Sequence, residues 1–79
     1  MRELVEYVAR HLVTEPDAVR VSSTERGSET TLELRVAKAD LGRVIGKEGR
    51  TAKAIRAILS AAAAHHHRRA VLEIVEDPD

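Results

Sequence analysis

Apolar residues in the first thirteen positions fall on one stripe. Leu4, Val5, Val8, Ala9 and Leu12 recur at i, i+1, i+4, i+5 and i+8, while Arg2, Glu3, Glu6 and Arg10 lie off that line. This spacing predicts an amphipathic helix over residues 2–13. Thr14-Glu15-Pro16-Asp17 ends it, because the residue before a proline is pushed out of the helical region. The period then changes from 3.6 to 2. Val19 and Val21 alternate with Arg20 and Ser22, Glu25-Arg26-Gly27-Ser28 supplies a turn, and a second strand follows over residues 30–37. In that strand Leu32, Leu34 and Val36 share one face and Glu33 and Arg35 the other, which predicts a hairpin with one apolar and one wet face.

Helical periodicity returns at Asp40, a candidate N-cap for a short helix over Leu41–Ile45. Gly46-Lys47-Glu48-Gly49 interrupts the path, and a longer helix is predicted from Arg50 or Thr51 to His66. Its apolar side is read as Ala52, Ile55, Ile58, Leu59, Ala62 and Ala63, and the alanine run at 61–64 adds helicity with little bulk. Residues 69–76 read as a last strand. Leu72 and Ile74 lie on one face and Val71 and Val75 on the other, a pattern suited to a strand covered by helices and by some second surface. The acidic end Glu76-Asp77-Pro78-Asp79 is expected to fray. The predicted order is α-β-β-α-α-β in a single domain over residues 1–79. A strand–helix–helix–strand unit returning to one sheet requires a parallel pair, joined by a right-handed crossover. The fold class is therefore α+β, a three-stranded mixed sheet with helices packed on one face.

Composition narrows the functions this framework can carry. The 79 residues contain no cysteine, so neither disulfides nor thiolate metal sites are available. No apolar run is long enough to span a bilayer, and Glu3 and Glu6 interrupt any signal-like segment, so the expectation is a cytoplasmic protein without a membrane partner. Net charge is zero, but it is unevenly spread. Lys38, Arg43, Lys47, Arg50, Lys53 and Arg56 face only Asp40 and Glu48 within residues 38–56, giving that window +4 and the remainder −4. A solvated helix face would account for such a cluster too.

The basic window is centred on a GxxG. Alone this is a weak signal, since chance places one in roughly a third of chains this long. Its setting sharpens it. Glycines at both ends let two helices meet tightly and leave backbone amides open to a close-approaching phosphate at the start of the longer helix. Lys47 and Arg50 add positive charge there, with Arg43 and Lys53 beside them, while Val44, Ile45 and Ile55 are candidates to line an aliphatic groove for unstacked bases.

Val44-Ile45-Gly46-Lys47-Glu48-Gly49-Arg50-Thr51-Ala52 resembles the (I/V)IGxxG(R/K) signature of KH domains, and the element order resembles their type II, or prokaryotic, arrangement. Over essentially its whole length the chain is similar to the small single-KH bacterial proteins of the KhpA type. The resemblance implies an RNA-binding protein that clamps about four nucleotides of single-stranded RNA between the GxxG loop and the second strand, in RNA metabolism or post-transcriptional regulation. It also implies a homodimer or a heterodimer with a KH protein of the KhpB/Jag type. The implied RNA-binding residues are Gly46, Lys47, Glu48, Gly49, Arg50, Arg43, Val44, Ile45, Lys53 and Ile55. Glu48 puts a carboxylate where phosphate should dock, which points to modest affinity.

Other readings fit less well. With no Phe or Trp and Tyr7 alone, the chain cannot build the aromatic platform of an RRM or OB fold. Consecutive residues on a helix point about 100° apart, so His65-His66-His67 cannot converge on one metal ion. Beside Arg68 and Arg69 they instead suit a helix C-terminus. No serine has the spacing of a nucleophile, and neither an enzyme nor a cofactor is expected. Two non-enzymatic alternatives stay open. One is a protein-interaction scaffold with a KH fold and little RNA affinity, using the alanine-rich helix. The other is a helix-turn-helix, disfavoured by the short first helix and the two strands upstream.

Overall fold

A computed structural model describes residues 1–76, and the predicted frayed end at 77–79 lies outside the described residues. Helix α1 spans Arg2–Leu12 and buries Val5 and Ala9. Val8 and Leu12 pack half-buried against the same core. Leu4, at the stripe's edge, keeps 36% of its surface exposed. On the polar side Glu6 pairs with both Arg2 and Arg10 at 3.5 Å, the i,i+4 spacing that braces a helix surface. The chain turns extended at Val13 and makes a single helical turn over Pro16–Ala18.

Strands β1 (Arg20–Arg26) and β2 (Glu29–Val36) form an antiparallel hairpin, with Arg26 opposite Glu29. Gly27 and Ser28 alone make the turn, so Glu25 and Arg26, read from the sequence as part of it, belong to the strand. β3 (Arg69–Glu76) lies parallel to β2 on its other side, giving a mixed sheet ordered β1-β2-β3. This central place explains why β2 is the backbone of the core. Leu32, Leu34 and Val36 are completely buried, whereas β1, at an edge, is almost wholly exposed beyond Val21.

Helix α2 (Leu41–Ile45) and helix α3 (Arg50–His65) connect β2 to β3. Val44 from α2, with Ala52, Ile55, Leu59 and Ala63 from α3, closes the core over Leu72 of β3. Ile58 does not join them. It is 51% exposed, so the buried stripe of α3 is narrower than its sequence predicts. Val71 and Val75 remain half-buried, in register with Thr31 and Arg35 on the opposite face of the sheet. Past α3 the chain leaves through His67 at φ 57°, the left-handed conformation that closes a Schellman turn. Arg68 N–H reaches back to the Ala63 carbonyl at 2.8 Å and His67 N–H to Ala64 at 3.0 Å.

Candidate nucleic-acid interface

The GxxG loop is the junction of α2 and α3. Helix α2 ends when Gly46 takes φ 78°, its N–H still bonded to the Gly42 carbonyl at 2.9 Å. Residues Lys47–Gly49 make one tight turn, closed by Gly49 N–H to the Gly46 carbonyl at 3.1 Å. Gly49 then adopts φ 75° and opens α3. The two glycines are required for different reasons. A Cβ on Gly46 would collide with the Thr51 side chain and backbone, whereas one on Gly49 would meet nothing closer than Lys53 Cε at 4.0 Å. Between them Glu48 also lies in the left-handed region, at φ 57° and ψ 24°, a feature its sequence does not announce.

Among the described residues no side chain caps the start of α3; Arg50 N–H donates to the Lys47 carbonyl of the preceding turn, and the end of the helix keeps the positive pole of its dipole. Lys47, Glu48 and Arg50 stand exposed around that end, Lys53 passes beside Gly49, and Arg43 and the 39%-exposed Ile45 flank it on α2. Together these form a positively charged, backbone-lined surface suited to an anion. Val44 and Ile55 are not part of it. At 0% and 5% exposure they belong to the hydrophobic core, which corrects their reading as groove residues, since a core side chain cannot also contact a base. Ile45 alone of the three offers aliphatic surface.

Asp40 likewise differs from its predicted role. It precedes α2 but makes no capping hydrogen bond. Its buried carboxylate instead accepts from Thr14 N–H at 3.0 Å, the Thr14 hydroxyl at 2.9 Å and Glu15 N–H at 3.2 Å. Arg43 Nε lies 3.6 Å away. The Thr14 N–H above all holds the Asp40 carboxyl below its ordinary value. Burial opposes this, and the Thr14 hydroxyl, the Glu15 N–H and Arg43 add to the lowering. Asp40 thus ties the segment after α1 to the helix that presents the loop. The pattern carried no hint of this, because Thr14 and Glu15 are 25 or more residues away.

The outer members of the basic window are committed elsewhere. Lys38 pairs with Glu76 at 3.5 Å, and Arg56 donates Nε and Nη2 to the Leu72 carbonyl at 3.4 and 3.3 Å, covering the β3 edge. Among the described residues no cluster of His, Cys, Asp and Glu could hold a metal ion, and no helix is long and apolar enough to cross a membrane.

Comparison with known proteins agrees with this geometry. The family described as KhpA/KhpB, KH domain matches residues 2–74. The protein called RNA-binding protein KhpA from Halalkalibacterium halodurans is 49% identical over 76 residues, covering 96% of this chain and all of that protein. Its namesake from Clostridium acetobutylicum is 48% identical over 75 residues, covering 95% and 100%. That from Aquifex aeolicus is 46% identical over 76 residues, covering 96% of each. A match spanning every element from α1 into β3, over a mixed sheet with the GxxG at the α2–α3 junction, makes this chain a member of the KhpA/KhpB KH-domain family.

Proposed function

We propose that the chain, as a single KH unit in the cytoplasm, binds single-stranded RNA, about four nucleotides at a time, along the GxxG loop. The observation that carries this reading is the junction itself: two glycines at positive φ expose the start of α3, which no side chain among the described residues caps, beside Lys47 and Arg50. Relatives that match it from end to end are called RNA-binding proteins, and the family is not one of enzymes. Gly46, Gly49 and the amides of α3 receive a phosphate, with Lys47, Arg50, Lys53 and Arg43 adding charge. Ile45 supplies the apolar contact to a base. Few phosphates are engaged, so binding is weak and salt-dependent, with a log–log slope of about −2 for three contacts on a single strand.

The test is fluorescence anisotropy with a short labelled RNA, comparing wild type with the Lys47→Asp/Glu48→Asp double variant. The variant is expected to lose binding at least tenfold while keeping its circular dichroism and melting temperature. Equal binding by the variant would show that RNA uses another surface.

Exposure on α3 supports a second, compatible reading. Ala54, Ala57 and Ala61 are exposed together with Ile58, a surface of small side chains around one large apolar residue. We infer that this face mediates association, with a second copy or with a KH protein of the KhpB/Jag type, so that two weak RNA sites act together.

A further inference from the structure

The basic residues around the loop are not equivalent. Arg43 faces the Asp40 carboxylate at 3.6 Å, and Arg50 Nη2 faces that of Glu48 at 4.0 Å. Lys38 and Arg56 are occupied by Glu76 and by the Leu72 carbonyl. Of the six, only Lys47 and Lys53 make neither an ion pair nor a side-chain hydrogen bond among the described residues. The site at rest therefore presents two lysines uncompensated and two arginines with counter-charges.

The two counter-charges differ in kind. The Asp40 side chain is 1% exposed and holds three other hydrogen bonds, so its pairing with Arg43 is built into the fold. The Glu48 side chain is 67% exposed and, among the described residues, accepts no hydrogen bond and pairs with Arg50 alone. It also sits where the backbone disfavours any side chain, at φ 57°, so folding would be served as well or better by glycine. A carboxylate held at such a position, inside a loop suited to phosphate, has its consequence in binding.

We propose that Glu48 sets the RNA affinity of the loop: its carboxylate holds Arg50 in reserve and opposes the incoming phosphate, so that phosphate alone binds poorly and base contacts must complete the complex. This rests on the RNA reading above. Glu48 is a specificity-determining residue, since an anion without bases, or a phosphate-dense duplex, meets its repulsion with less compensation. A unit charge about 6 Å from a phosphate in a water-like medium changes affinity about threefold, and added salt erodes that difference.

The experiment is anisotropy with a labelled single-stranded RNA for wild type, Glu48→Gln and Glu48→Gln/Arg50→Gln, with salt varied between about 50 and 300 mM. Glutamine keeps the size and backbone of Glu48, so the melting temperature should not move. Glu48→Gln is expected to bind about three- to fivefold tighter at low salt, with a slope steeper by about 0.7 as Arg50 gains a phosphate. Adding Arg50→Gln should return the slope to the wild-type value. Glu48→Gly separates strain from charge, and should show the same gain in affinity with a higher melting temperature. If wild type binds and Glu48→Gln binds no tighter and no more steeply with salt, Glu48 does not set affinity and the proposal fails alone. If wild type binds no RNA at any salt, the RNA reading itself falls.

Discussion

Gly46 and Gly49 look interchangeable in a GxxG, yet their surroundings set different penalties for an added methyl group. Gly49→Ala introduces only left-handed strain, about 1 kcal/mol, because the nearest atom is the flexible end of Lys53. Gly46→Ala adds a clash with the Thr51 backbone, so the loss should exceed about 2 kcal/mol and the α2–α3 junction must reshape. Thermal unfolding of the two variants should separate them in that order, and equal losses would mean the junction gives way freely around Thr51. Asp40 makes a second prediction at this scale. A carboxyl held below its ordinary value stabilises the fold above its unfolded pKa of about 4, and that contribution is lost as pH falls through the lower folded value. Asp40→Asn replaces one of the two acceptor oxygens with a donor, which must then face the N–H of either Thr14 or Glu15, and should lower the melting temperature at neutral pH. The gap between variant and wild type should narrow as pH falls below about 4, where the unfolded carboxylate takes up its proton while the native one still resists it, and close once pH has passed the lower folded value. A gap constant with pH would indicate a purely steric role.

Among the elements, α3 shows how a helix divides its work. Leu59 is 1% exposed and Ile58, the next residue, 51%. Leu59→Ala removes core volume and should destabilise by about 2–4 kcal/mol, much of what a domain this small possesses. Ile58→Ala should change stability by no more than about 0.5 kcal/mol in dilute protein. Denaturant titration of both tests whether the exposed face is dispensable to the fold. The central strand is the contrasting case. Covered by β1 on one side, β3 on the other and helices on its inner face, β2 leaves no room for divided roles, and each of its inward residues is buried.

For the molecule as a whole, association and RNA binding should be linked through α3. Ile58→Lys places a charge at the centre of the exposed alanine surface and should convert any dimer to monomer in sedimentation velocity. RNA affinity should fall with it, because avidity between paired sites is lost while each loop is unchanged. A monomeric wild type at all concentrations, with no mass gain on adding a KhpB-type KH protein, would remove the association reading and leave a solitary RNA hook.

Periodicity and the proline and glycine breaks determined the α-β-β-α-α-β order, and the crossover rule then determined the mixed sheet, since these depend on short spacings and on connections between consecutive elements. The loop was legible for the same reason: its glycines, its basic flank and the helix it opens are contiguous. Tertiary structure decided everything that depends on distant partners. It sent Val44 and Ile55 inward, into the one core cluster that also takes residues of α1 and of the sheet, and left Ile45 and Ile58 outside on apolar stripes that looked continuous in one dimension. It turned Asp40 from a cap into a tie to Thr14 and Glu15. It bent Glu48 into a left-handed conformation that no local preference of glutamate requests, because the chain must reverse between two packed helices within four residues. A sequence states which side chains want burial or water. Only the assembled fold determines which of them obtain it, because that choice is made by contacts between segments that the chain itself keeps far apart.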